Sequence, residues 1–323
     1  MTSYLFNPNN HLFNLARQGQ RLPNLFAVLL LSFVFILLGN SIGGILTAVL
    51  LGPTAFTGEA FAQDGTAAAS GLRLALALIL GFAPVFLLIW VWLIGYEKRP
   101  FWTLGFEKRG ALWKYLRGLL MGLLFFGGAV LLMAVPGYVA FETGPAHLQG
   151  MSALGGVLIV TLGWMVQGAG EEVLCRGWVL PVVGARYRPW LGVLVSSLIF
   201  TVLHGLNPNL NFIAILNIFL VGIFTALYAL SEGGMWGICA WHSGWNWAQG
   251  NLLGFEVSGQ EISGGILLNL METGPDAITG GAFGPEGGLA VTVVILIGIA
   301  ALLLRRKRSP LPEEISVEAP DRF

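Results

Sequence analysis

Glu171, Glu172 and Arg176 stand inside GWMVQGAGEEVLCRGWVLP (residues 163–181), a stretch otherwise free of charge in a chain that keeps charge out of its apolar segments. An ionisable group at membrane depth is costly and points to function by default. Glu172 and Arg176 are four residues apart, so on a helix they share a face and can pair, with the glutamate first in the more favourable order. Glu171 points about 100° away and has no partner within its own helix. A purely structural ionic staple would leave that carboxylate unexplained.

The remaining polar residues converge on it. Of the histidines, His11 and His147 fall in a tail and a loop, while His204 and His242 fall in apolar segments. FTVLH places Phe200 and His204 on one helical face, and WHSGWN does the same for His242 and Asn246. A lone histidine in a span is commonly a satisfied packing residue. Two of them, with an asparagine one turn on and an unpaired glutamate, fit chemistry better. A carboxylate in apolar surroundings suits general-base work near neutral pH, and an imidazole can polarise the same water. A His–Asn pair can donate to a developing oxyanion. Together these groups describe attack of water on an amide carbonyl. G-x-S-x-G occurs only at residues 39–43, inside an unbroken apolar run rather than at a strand-to-helix elbow, and H-E-x-x-H does not occur. Cys175 lacks the wetted, electropositive setting a reactive thiolate needs, and with Cys239 it reads as a reduced, buried thiol.

These side chains must be held by membrane helices. The chain has 323 residues, 55% hydrophobic and only 11% charged, against roughly 25% charged in a soluble domain. A net charge of zero gives no sign of a nucleic-acid partner. Eight apolar runs could cross a core about 30 Å thick: 24–50, 73–96, 115–138, 151–170, 189–206, 211–231, 235–250 and 288–304. The runs are long and unbroken rather than alternating, which excludes a strand-built barrel. The forty-five glycines suit close helix packing in lipid.

Lys and Arg cluster before the first run, between the second and third, near 186–188 and after the last. The alternate loops 51–72, 139–150 and 251–287 have none. The bias predicts cytoplasmic termini on both ends of an all-α polytopic bundle of about eight transmembrane helices. We expect residues 1–23 to be a cytoplasmic tail, 24–304 a single transmembrane domain, and 305–323 a disordered cytoplasmic tail. AFAQD at 60–64 resembles a signal-peptidase site, but the preceding apolar run is too long for a signal core. The segment 251–287 reads either as an external loop or as one that dips back into the protein.

Depth is a matter of counting from the turn near residue 187. Glu171 lies 16 residues before it and His204 17 after, so both rise roughly 25 Å and should face each other. Pro181 should kink the first of these helices without changing this much. His242 lies about eight residues past the turn at Gly233–Gly234, roughly 12 Å. It matches in depth only if the hairpin around residue 187 protrudes further.

Glu-Glu-x-x-x-Arg at Glu171, Glu172 and Arg176, Phe-x-x-x-His at Phe200 and His204, and His-x-x-x-Asn at His242 and Asn246 form an ordered set. Over roughly residues 150–250 this set resembles the CAAX-prenyl-protease and bacteriocin-processing (CPBP, Abi-type) family of intramembrane endopeptidases. The resemblance implies that Glu171 with His204 activates water, that Arg176 holds Glu172, and that His242 and Asn246 stabilise the oxyanion, in a chamber open to the cytoplasmic side. It implies a peptide or protein substrate and a multi-pass protein of the cell membrane, the plasma membrane of a bacterium. No metal is expected to be required, although Glu171, His204 and His242 could ligate zinc (Zn2+). A transporter or proton relay using the same groups, or a non-proteolytic scaffold or bacteriocin-immunity protein, remains as an alternative.

Overall fold

A computed structural model of the protein describes residues 4–52, 66–262 and 264–305. A short helix α1 (His11–Ala16) precedes the long α2 (Leu25–Leu51). Next come α3 (Ala67–Trp92), continued by a π-helical turn Leu93–Glu97, and α4 (Ala111–Ala134). Helix α5 (Leu154–Glu172) runs through a π-helical stretch, Val173–Val179, into α6 (Leu180–Arg186). The bundle is completed by α7 (Pro189–Leu203), α8 (Phe212–Glu232), α9 (Trp236–Trp247) and α10 (Leu289–Leu304).

All eight apolar runs are helical, so the all-α membrane bundle holds. Five continuous helical segments are long and apolar enough to cross a membrane: Leu25–Leu51, Ala67–Glu97, Ala111–Ala134, Gly150–Arg186 and Phe212–Glu232. Helices α7 and α10 are apolar but shorter. Helix starts are set by side-chain caps: Asn24, Thr66 and Asn211 accept from Ala27, Ala69 and Ala214 backbone N–H groups, each cap worth about 1 kcal/mol. Thr66 opens α3 ahead of the expected residue 73, so Arg73 sits inside the helix rather than at its edge.

Small residues decide which helices meet. A Cβ on Gly71 of α3 would lie 2.5 Å from the Gly156 carbonyl oxygen of α5, a clash that only glycine avoids. Near the site, a Cβ on Gly168 of α5 would lie 2.9 Å from Ser243 N of α9. Such contacts supply packing where lipid offers no hydrophobic drive between helices. Two buried apolar clusters flank the centre. One joins α4, α8, α9 and α10 around Phe126, Trp241 and Trp245. The other joins α2, α3, α7 and the π stretch around Phe35, Trp178 and Phe200.

The loops at one end form a cap. Strands β1 (Val139–Phe141) and β2 (Leu270–Glu272) pair antiparallel, with Val139 opposite Glu272, and a bridge joins Gln149 to Ile266. This small sheet lies outside the helices, where backbone groups need not be satisfied within one segment. The segment 251–287 is therefore packed rather than a free loop: Phe255, Val257 and Phe283 are buried, and Asn251 bonds Trp164 and the Gly265 carbonyl. The 60–64 sequence and residues 306–323 lie outside the described residues.

Candidate active site

Glu171 and Glu172 occupy the last turn of α5, midway along the continuous 154–186 helix. The π-helical stretch that follows has wider turns, which also accommodates Pro181 and its missing N–H without breaking the helix. Arg176 lies within it, fully buried. It donates to Glu172 Oε1 at 3.3 Å and to the Gly222 carbonyl of α8 at 3.3 Å, and its guanidinium lies 4.2 Å from the centre of the Phe200 ring. The expected pair is present, and Glu172 has a second partner: His242 Nδ1 donates to the same Oε1 at 2.9 Å.

His204 closes the C-terminal end of α7, where its Nδ1 bonds the Phe200 carbonyl at 2.8 Å. A carbonyl and a carboxylate both accept, so each histidine carries its proton on Nδ1 and turns Nε2 towards Glu171. Both Nε2 atoms lie 3.7 Å from Glu171 Oε2. The expected approach of Glu171 and His204 is thus observed. His242 reaches Glu171 as well, and residues 180–187 are packed against α1 and the chain after it: Phe13 packs on Gly184, and Arg186 donates to the Leu22 carbonyl.

One expectation is corrected. Glu171 does have a partner in its own helix: Gln167, one turn earlier, donates to Glu171 Oε1 at 2.7 Å. Gln167 also accepts from Asn246 Nδ2 at 2.8 Å, linking the carboxylate to the asparagine. One Asn246 N–H is thereby committed, which leaves the other N–H of this cavity-lining residue for a further acceptor. Among the described residues, Glu171 Oε2 is buried and has no hydrogen-bond partner.

These groups face a cavity of about 360 Å³, within the range of small-molecule sites. Its wall includes Glu171, His204, His242 and Asn246, with Leu78 and Phe82 of α3. The cavity also reaches Val257–Ser258 and Gln260–Ile262 of the cap. The cavity extends towards the cap end, away from the basic loops. Towards the basic end it is closed by buried Leu174, Cys175 and Trp178. Below them a second buried ion pair joins Arg99 Nε to Glu97 at 2.6 Å, with the Trp92 and Trp178 indoles donating to Glu97.

Residues 153–248 match the family model described as type II CAAX prenyl endopeptidase Rce1-like. The matched stretch is Rce1-like and spans less than a third of the chain. It runs from the start of α5 to just beyond α9, and so contains Glu171, Glu172, Arg176, His204, His242 and Asn246. A 67-residue stretch is 40% identical to an uncharacterized 24.3 kDa protein of Escherichia coli, covering 20% of this chain and 30% of that protein. No solved structure matches the chain. The matched stretch is thus similar to a family of endopeptidases, and it lies in a bundle whose long apolar helices can cross a membrane.

The Rce1-like stretch does not contain the whole chamber. Ile36 and Asn40 of α2, Leu74 of α3 and the cap residues Ser258, Gln260 and Glu261 also line it. Within the stretch, Gln167 was legible as a polar residue four positions before Glu171. Asn40 carries a similar signal, a polar side chain in an apolar helix. The cap residues carry none, because only folding brings residue 258 to residue 204.

Proposed function

We propose that this protein is an intramembrane endopeptidase in which Glu171 activates the attacking water. The observation that carries this reading is the placement of His204 Nε2 and His242 Nε2, each 3.7 Å from Glu171 Oε2, at a cavity large enough for a peptide segment. Those distances exceed a hydrogen bond and suit a small third group held between the three atoms. A water there gives one proton to Glu171 Oε2 and hydrogen-bonds His204 Nε2, while its oxygen attacks the carbonyl. The carbonyl π electrons move to oxygen, and the remaining Asn246 N–H donates to it. His242 assists as a donor only when Nε2 is also protonated, since Nδ1 is committed to Glu172. Collapse of the adduct expels the amine, which takes the proton held by Glu171.

Glu172 is fully buried between Arg176 and His242 and serves as a positioning residue for both. We propose that no metal is required. Glu171, beside two imidazole nitrogens, can take the proton of the attacking water itself. If zinc were bound, Glu171, His204 and His242 would hold it and it would supply Lewis-acid activation. A proton relay needs a polar route across the membrane, whereas the path from Glu171 to the basic end is packed with Leu174, Cys175 and Trp178. We place the protein in a bacterial plasma membrane. Incubating purified protein with a peptide library, alongside Glu171→Gln, tests the reading: cleavage by wild type alone supports it, and equal cleavage by both sinks it.

A further inference from the structure

We infer that the chamber receives its substrate from the membrane face opposite the basic loops, the exterior by the distribution of Lys and Arg. Its substrate class is then a peptide segment exposed at, or emerging from, the outer surface rather than a cytoplasmic chain end. What is bound rests on the protease reading; the route does not.

Every wall of the cavity gives the same direction. Helix α2 leaves the end that holds Arg17 and Arg21, and its lining residues Ile36 and Asn40 lie beyond its eleventh position. Helix α3 starts at the cap end, and Leu74, Leu78 and Phe82 belong to its first two-thirds. Helix α7 starts beside Arg186 and Arg188 and delivers Phe200 and His204 at its far end. At about 1.5 Å per residue, these positions run from the middle of the bundle to the end nearest the cap.

The two ends differ in construction. At the basic end the buried Glu97–Arg99 pair, its two indole donors and the sheath of α1 leave no lining residue beyond Cys175. At the other end the rim is polar and built. Glu286 accepts from Ser258 N and Oγ, each at 2.8 Å, and from Trp245 Nε1 at 3.0 Å. Asn207 donates to the Ser258 carbonyl at 3.2 Å. These bonds fix the 257–262 turn beside the mouth, where Gln260, Glu261 and Asn40 are exposed and line the cavity.

Charge supplies the orientation. Among the described residues, Arg73 is the one Lys or Arg in the cap half, while Lys98, Lys108, Arg117, Arg186 and Arg305 mark the opposite end. Positive residues stay cytoplasmic, so the polar mouth faces outward. The cytoplasmic opening implied by family resemblance and the orientation given by the Lys/Arg bias are incompatible in this molecule, and the cavity sides with the second.

Single cysteines read the route without any substrate. Wild type, with Cys175 and Cys239 buried, gives the background. In spheroplasts of an expressing bacterium, a bilayer-impermeant maleimide should label Leu78→Cys equally before and after permeabilisation. It should label Lys108→Cys only after it. Ile262→Cys on the cap wall repeats the first measurement if Leu78→Cys accumulates poorly. Labelling of the chamber cysteines only after permeabilisation, of Lys108→Cys before it, or of neither chamber cysteine in either state overturns the inference. A protein that labels as expected yet cleaves no peptide would refute the protease reading and leave the route standing.

Discussion

Gln167 Nε2 donates to Glu171 Oε1 at 2.7 Å, so one carboxylate oxygen is held while Oε2 faces both imidazoles. Glu171→Gln keeps an acceptor for that bond and nearly the same shape, but cannot take a proton. It should lower kcat/KM by about 10²-fold or more while leaving the thermal unfolding midpoint near wild type. Near-normal hydrolysis by the variant would show that another group is the base.

Gln167 itself should behave as a positioning residue. Gln167→Leu removes the restraint on Glu171 and frees Asn246. Misplacement of a reacting group by about 1 Å can cost about 10²-fold, so kcat should fall by about 10- to 100-fold with KM nearly unchanged. Gln167→Glu, which can still accept from Asn246 but cannot donate to an ionised Glu171, should recover little of it. A loss confined to KM would place Gln167 in substrate binding instead.

Glu172→Gln should act on stability as much as on rate. It leaves Arg176 fully buried without a counter-charge and weakens the acceptor for His242. Breaking one side of a buried pair costs about 3–5 kcal/mol, visible as a lower folding yield and unfolding midpoint in detergent. Wild-type yield with lost activity would mean that Glu172 acts chemically rather than structurally.

Metal content should not track activity. Exhaustive chelation should leave most hydrolysis intact, and added zinc should inhibit by taking the place of the water near Glu171. Stoichiometric zinc in the purified protein, with activity lost on its removal and regained on its return, would make Glu171, His204 and His242 ligands.

The cap carries its own pH dependence. Burial, reinforced by Glu256 nearby, raises the Glu272 carboxyl from 4.5 to about 7. Its ionised form is therefore disfavoured in the fold, so its stability contribution is highest below the unfolded value. It declines as pH rises towards the folded one and is flat above, a span of no more than about 3 kcal/mol. Glu272→Gln should reduce the fall in unfolding midpoint between about pH 5 and pH 8. An unchanged slope would locate the effect elsewhere.

Much of this protein is legible in its sequence because lipid allows so few solutions. Apolar runs must be helical to satisfy their own backbone, and all eight are. Charged and polar side chains buried in such runs are costly enough to stand out, which is how Glu171, Glu172, Arg176, His204, His242 and Asn246 can be picked from the chain by residue type and spacing. Counting residues from the 187 turn places Glu171 level with His204, because helical rise is fixed. The same count leaves His242 undecided, since its depth depends on packing contacts between distant segments. Gln167 gives a fainter signal, a polar residue four positions before Glu171 whose uncharged amide carries no Coulombic cost, although it bonds the Glu171 carboxylate. The direction of the chamber is decided only by tertiary structure. A cap held by Glu286 and a floor closed by Trp178 join residues far apart in the chain, and neither helical period nor spacing encodes which end of a bundle is left open.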